Sequence, residues 1–293
     1  MLIRRAQASE LIRISEDAEP TMPAALQLIR AGLITPEGDL TEPGRIVVEA
    51  VKHAITFLGE PREWPEDRWV GTDVLQMIEV SERSGHVIDA WRGPLETRGF
   101  LRGGELTEAA GCIVDAYSIA RPRIYLSVWE ASALQAMPPG PTDLESVRRE
   151  LESMGFSANL IDSLEAMRLA SVGAPDVREP VPTFTLTGAG RLVRQAARSM
   201  PLPESGYAID PAVTSAVLKL AKGEPLASEE SELLTSRGLA HAGRLTWPGR
   251  YLLTALNKLH RPKGEQSPIL SLIHISEPTR PRLISYAVFC LKK

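Results

Sequence analysis

The run Leu28-Ile-Arg-Ala-Gly32-Leu33-Ile-Thr-Pro-Glu-Gly38-Asp-Leu40-Thr41-Glu-Pro-Gly44-Arg45 decides how the chain is read, because it recurs. A second copy reads Leu95-Glu-Thr-Arg-Gly99-Phe100-Leu-Arg-Gly-Gly104-Glu-Leu106-Thr107-Glu-Ala-Ala110-Gly111. A third is shorter, Phe184-Thr-Leu186-Thr187-Gly-Ala-Gly190-Arg191. The fourth reads Leu234-Thr-Ser-Arg-Gly238-Leu239-Ala-His-Ala-Gly243-Arg-Leu245-Thr246-Trp-Pro-Gly249-Arg250. Three copies share Leu-Thr-x-x-Gly-Arg, and Ala110 replaces the glycine in the second. The motif threonines stand 66, 80 and 59 residues apart, a spacing that implies tandem units rather than a short-period solenoid.

Each part of the motif has a local physical reading. An amphipathic helix stops at a glycine able to take positive φ, at Gly32, Gly99 and Gly238. A Gly-containing turn between two short strands follows. The threonine then suits a helix N-cap, its hydroxyl accepting from an exposed backbone N–H. Pro43 and Pro248 fall in the first turn, where a missing N–H is harmless. Beyond the caps, Ile46, Val47, Ala50, Val51, Ala54 and Ile55 in the first copy, and Leu252, Ala255, Leu256 and Leu259 in the fourth, keep helical spacing. Upstream, the pattern predicts helices over Met22–Arg30, Gly71–Arg83, Val87–Arg98, Ser127–Met137, Thr142–Ser153, Ser157–Ala170, Asp210–Leu220 and Ser228–Arg237.

Helix, tight glycine, hairpin and threonine-capped helix together resemble the second half of a winged helix-turn-helix domain. The Leu-Thr-x-x-Gly-Arg element is similar to the one that follows the wing in many prokaryotic winged-helix regulators. The resemblance implies a mostly α protein with short β-hairpins, built of tandem winged-helix units of the kind found in uncharacterised prokaryotic families. The units are placed at 1–60, 61–122, 123–200 (irregular) and 201–265, with 266–293 as a tail foreign to the fold.

Composition agrees with a helical fold. Hydrophobic residues are 43%, charged residues 24% and aromatics only 5%, so the core is made of aliphatic side chains. No run approaches the ~18 apolar residues of a membrane span, and no signal-peptide stretch follows Met1, so the chain is expected in the cytoplasm. The blocks Leu270-Ser-Leu-Ile-His-Ile-Ser-Glu-Pro-Thr-Arg280 and Ile284-Ser-Tyr-Ala-Val-Phe-Cys-Leu-Lys-Lys293 resemble the in-frame translation of a transposase-based sequencing adapter. Pro281-Arg282-Leu283 sits where its barcode would be read. On that reading the natural sequence stops being legible near Ile269 and the gene product is longer. Setting aside the cations Arg280, Arg282, Lys292 and Lys293 and the acid Glu277 moves the net charge from −4 to −7. Cys112 is then the lone cysteine, which can form neither an internal disulfide nor a cysteine metal cage.

In a DNA-binding winged helix, the helix before the wing enters the major groove. Gln27 and Arg30 in the first copy, and Arg92 and Arg98 in the second, are the groove-facing candidates. The fourth copy presents Glu229, Glu230 and Glu232 against Arg237, an arrangement unfavourable beside phosphates. Arg191, Arg194 and Arg198 make a basic stripe on the third capped helix, and Arg45 and Arg250 follow motif glycines; these five are the candidate phosphate contacts. The same pattern also fits a solvated helix face. Thr41, Thr107, Thr187 and Thr246 are assigned as structural caps. No metalloprotease, nucleophile-elbow or phosphate-loop motif occurs, and no cofactor or metal site is expected. The expectation is a non-enzymatic binding or regulatory protein, taking DNA through a minority of units, or a protein-interaction scaffold. The third alternative is part of an enzyme completed beyond the readable end. Nothing in the sequence assigns an oligomeric state.

Overall fold

A computed structural model of the chain describes residues 2–22, 24–138, 140–157, 159–173 and 181–260. The tail reading for residues 266–293 and the adapter-like block lie outside the described residues.

A related element order occurs four times, without hairpin strands in the first copy and with an added strand and helix in the third. Repeat 1 runs β1 (Ile3–Arg4), α1 (Arg5–Ser15), α2 (Ala24–Ala31) and α3 (Glu42–Leu58). Repeat 2 runs β2 (Arg68–Val70), α4 (Thr72–Ser84), α5 (Asp89–Glu96), β3 (Leu101–Arg102), β4 (Glu105–Leu106) and α6 (Glu108–Ile119). Repeat 3 carries an extra strand and helix: β5 (Leu126–Ser127), α7 (Val128–Ala136), β6 (Thr142–Asp143), α8 (Leu144–Ser153), α9 (Asn159–Ala166), β7 (Ala170–Gly173), β8 (Thr183–Leu186) and α10 (Gly188–Ser199). Repeat 4 runs β9 (Tyr207–Ile209), α11 (Pro211–Lys222), α12 (Ser228–Ser236), β10 (Ala240–His241), β11 (Arg244–Leu245) and α13 (Trp247–Leu259). The protein is therefore mostly helical, with short antiparallel strand pairs.

Three expectations change. The helix predicted over Thr142–Ser153 starts only at Leu144, because Thr142–Asp143 pairs with β8 as a strand and Asp143 caps the helix. The helix predicted over Ser157–Ala170 ends at Ala166, and Ala170 opens a strand. The first hairpin is only a bridge between Ile34 and Leu40, because its flanks are too short to sustain a ladder.

The same joint closes every repeat. The helix before the hairpin ends in a residue at positive φ: Gly32 at 75°, Gly99 at 72°, Arg168 at 55° and Gly238 at 64°. The next amide, of Leu33, Phe100, Leu169 or Leu239, bonds back to the carbonyl five residues earlier at 2.8–2.9 Å, a Schellman closure. That residue's own carbonyl then accepts the amide of Thr41, Thr107, Thr187 or Thr246, each at 3.0 Å. The threonine hydroxyls donate to the carbonyls of Gly32 (2.8 Å), Gly99 (2.7 Å), Arg168 (2.8 Å) and Gly238 (2.6 Å). Each threonine thus ties the start of one helix to the end of another.

The repeats associate two by two. Ile3 faces Val70 in the β1–β2 ladder, and Leu126 faces Ile209 in the β5–β9 ladder. Each of these four residues stands just before the N-cap of its first helix, so equivalent positions meet across a local pseudo-twofold. All four are fully buried. At roughly 1.5–3 kcal/mol per buried aliphatic side chain, these contacts anchor each pair. Within the pairs, α3 packs on α6 and α10 packs on α13. One apolar core spans repeats 1 and 2, including the ring cluster Trp64–Trp69–Phe100, and a second spans repeats 3 and 4.

Candidate functional site

The helix that would read a groove is disposed differently in each repeat. In repeat 1, α2 packs against α9 of repeat 3. Gln27 Nε2 donates to Ser163 Oγ at 3.0 Å. Arg30 donates to Ser163 Oγ, the Tyr125 carbonyl and Glu130 Oε2, each at 2.8 Å. Only 4% of the Arg30 side chain is exposed. The two groove-facing candidates of the first copy are therefore spent inside the protein. From Leu160 to Ala166, every residue of α9 is buried as well.

In repeat 2, α5 stays at the surface. Arg92 pairs with Asp89 at 3.1 Å, while Arg98 folds back onto the carbonyls of Arg68 and Pro94 and onto Glu66. In repeat 4, α12 buries only Leu234 and presents Glu229 and Glu232 to solvent; Glu230 bonds Lys219.

Beside the α2–α9 contact runs a second polar seam that the sequence did not disclose. Glu165, with no side-chain exposure, accepts from Arg68 Nη2 and from the Thr72 amide at 2.6 Å. Thr72 Oγ1 accepts from the Val172 amide at 2.8 Å, which fastens the start of α4 to the edge of β7. Arg4 pairs with Asp162. Burial pushes the Glu165 carboxyl above the ordinary glutamate range, against the pull of Arg68. These groups are more than 90 residues apart in sequence, so no spacing rule could have linked them.

The four motif threonines sit at helix N-caps. The hydroxyls of Thr41, Thr187 and Thr246 accept from Gly44, Gly190 and Gly249 at 3.2, 3.0 and 3.5 Å. Thr107 makes no such bond. The reason lies at the third helical position, where a Cβ on Gly44, Gly190 or Gly249 would run into the carbonyl of Leu33, Leu169 or Leu239. Ala110 carries that Cβ, so α6 cannot seat in the same way.

The five candidate phosphate arginines divide. Arg45, Arg191, Arg198 and Arg250 are exposed and Arg194 is half-buried. Arg45 donates to the Leu40 carbonyl at 3.0 Å. Both Arg194 and Arg198 reach the Gln135 carbonyl at the end of α7, at 3.3 and 2.9 Å, where cations complement the helix dipole. The Arg250 guanidinium lies over the Trp247 ring, 5.4 Å from its centroid. Trp247, 66% exposed, is one turn from Tyr251, and their ring centroids are 6.3 Å apart.

No group of three or more His, Cys, Asp or Glu side chains among the described residues is arranged to hold a metal ion. Among the same residues, no helix is long and apolar enough to cross a membrane. Burial raises the Cys112 thiol pKa, and His53 pairs with Glu108 across α3 and α6 at 3.2 Å.

These features define a mostly helical protein with short antiparallel strand pairs, a buried polar seam and two pairs of capped helices that each keep one face in solvent. The chain belongs to the DUF505 family of proteins of unknown function, whose profile matches residues 1–277 and so overlaps the start of the adapter-like block. It is also similar to an uncharacterised protein of Methanocaldococcus jannaschii, with 23% identity over 283 residues, covering 92% of this chain. The chain spans 45% of that relative's length. No solved structure matches the chain.

Proposed function

We propose that this chain is a non-enzymatic binding scaffold of four winged-helix units, in which two units have given up groove reading to hold the molecule together. The recurrent joint of Schellman closure, hairpin and threonine cap supports the winged-helix reading. The observation that carries the scaffold role is the packing of α2 on α9 around Arg30, whose donors are all directed into the protein interior. The corresponding helices of the other two units are poor base readers. On α5 the one arginine, Arg92, pairs with the exposed Asp89; Arg98, just beyond the helix, folds back onto Glu66 and backbone carbonyls; and α12 opposes phosphates with carboxylates. The scaffold therefore binds through surfaces other than the helices that precede the hairpins.

The test is a panel of labelled duplexes of diverse sequence, titrated with the full chain at fixed salt. Sequence-reading proteins prefer their sites by ~10³ or more. The scaffold reading expects no duplex to be favoured by such a margin. A duplex preferred to that degree, with the preference abolished by Arg92→Ala, would show that α5 reads a groove and would overturn the proposal.

A further inference from the structure

The two capped-helix pairs are built alike and charged oppositely. Positions four, eight and eleven residues after each motif threonine all face solvent. In the first pair they are Arg45, Glu49 and Lys52 on α3, and Gly111, Asp115 and Ser118 on α6. In the second they are Arg191, Gln195 and Arg198 on α10, and Arg250, Thr254 and Asn257 on α13. Over their whole lengths, α3 and α6 carry Glu42, Glu49, Glu108 and Asp115 against Arg45 and Lys52. Helices α10 and α13 carry Arg191, Arg194, Arg198, Arg250 and Lys258 and no acid at all. Lys258 Nζ stands beside Gly188, 3.6 Å from where its Cβ would be, so the end of α13 adds its charge to the start of α10.

The second pair differs in one further respect. The first position after the cap is Glu42 in α3, Glu108 in α6 and Gly188 in α10, but Trp247 in α13. Trp247, Arg250, Tyr251 and Thr254 follow at i, i+3, i+4 and i+7, which places them on one stripe. An exposed indole flanked by a stacked guanidinium and a second ring is an arrangement on which a nucleobase can lie, with neighbouring arginines taking the flanking phosphates.

We infer that the α10–α13 face binds single-stranded nucleic acid without regard to sequence, with phosphates on Arg191, Arg198 and Arg250 and a base on Trp247. The inference rests on the scaffold reading for its claim that binding does not use the helices before the hairpins. Charge complementarity selects a polyanion. The aromatic stripe favours an unpaired strand over a duplex, whose bases are stacked on one another, and over an acidic protein segment.

The test uses the full chain and a labelled oligothymidylate of about twenty nucleotides, followed by anisotropy across a salt series. Single-strand binding should weaken with salt by ~0.7 in log–log slope per phosphate engaged. Replacing Arg191, Arg198 and Arg250 with Gln should therefore flatten the slope by about 2. Trp247→Ala should weaken binding about tenfold or more, and Trp247→Phe should recover part of it, as loss and restoration of one stacked base require. Arg45→Gln with Lys52→Gln, on the first pair, should leave binding unchanged. Circular-dichroism melts confirm that these surface variants remain folded. Absence of oligothymidylate binding would overturn the inference, as would binding insensitive to the arginine and tryptophan variants. So would a duplex bound more tightly than the single strand with no dependence on Trp247. Poly-glutamate binding in place of the oligonucleotide would assign the face to an acidic protein partner instead. None of these outcomes contradicts the scaffold reading, which fails only on sequence preference mediated by α5.

Discussion

Arg30 and Glu130 form an ion pair at 2.8 Å that closes the seam between α2 and α7, with 4% and 14% of their side chains exposed. Glu130 also accepts from the amide and hydroxyl of Ser127, completing a capping box at the start of α7. One carboxylate thus fixes the beginning of a helix in repeat 3 and neutralises the cation of repeat 1.

Removing only the cation should be costly. Arg30→Ala leaves Glu130 poorly compensated and strips donors from Ser163 and the Tyr125 carbonyl. A loss of about 3–5 kcal/mol is expected from breaking one side of a buried pair. Arg30→Met combined with Glu130→Gln should lose clearly less than Arg30→Ala, because it leaves no buried charge and retains an oxygen for the capping box. Urea melts of the three proteins decide this; equal losses would mean that the pair is not desolvated as described.

The cap joint makes a paired prediction. Gly190→Ala places a Cβ against the Leu169 carbonyl and should cost about 1–3 kcal/mol, as overpacking does. Ala110→Gly should cost little at this first-turn position, because it allows α6 to seat as α3 does. Thr246→Ala should cost about 1 kcal/mol for the lost cap. If Gly190→Ala and Ala110→Gly have equal effects on thermal stability, close approach at the third helical position is not what selects glycine.

Glu165 links the seam to pH. Burial disfavours the anion and holds its folded carboxyl above the ordinary glutamate range. The folded state therefore binds this proton more tightly than the unfolded state. The linkage contribution of this residue rises as pH falls through the folded pKa and is complete below the unfolded one. Glu165→Gln removes that titration. Stability of the wild type minus that of the variant should thus increase on acidification toward pH 4.5. A difference that instead shrinks on acidification would mean that Arg68 outweighs burial and holds the carboxylate ionised.

What the sequence disclosed was local. The stop at Gly238, the cap at Thr246 and the first-turn Pro248 each follow from backbone chemistry within a few residues, and the helix α13 begins where they place it. The third joint was hidden because Arg168 occupies the left-handed position held elsewhere by glycine. Its guanidinium bonds the Tyr117 carbonyl and lies over the Tyr117 ring at 4.1 Å, contacts that offset an unfavourable backbone. The span from there to the motif threonine is also longer, 19 residues against 8 or 9 in the other repeats. Pairing of Ile3 with Val70 and of Leu126 with Ile209 was equally illegible, since strands of two or three residues carry no alternation to read. Gln27 and Arg30 looked like groove donors because amide and guanidinium groups suit a base edge and a buried seam equally well. Only the fold decides which of the two they meet.

Helices α2 and α9 pack on one another inside the protein, while α5 and α12 each keep an exposed face. Amide hydrogen exchange on the intact chain reads this helix by helix, because protected amides report buried, cooperatively held segments. The hydrogen-bonded amides of α2 and α9 should exchange at least about tenfold more slowly than those of α12, with α5 between them. Exchange of α2 and α9 at the rate of α12 would contradict that packing, and would return those two helices to the surface as candidate readers of a groove.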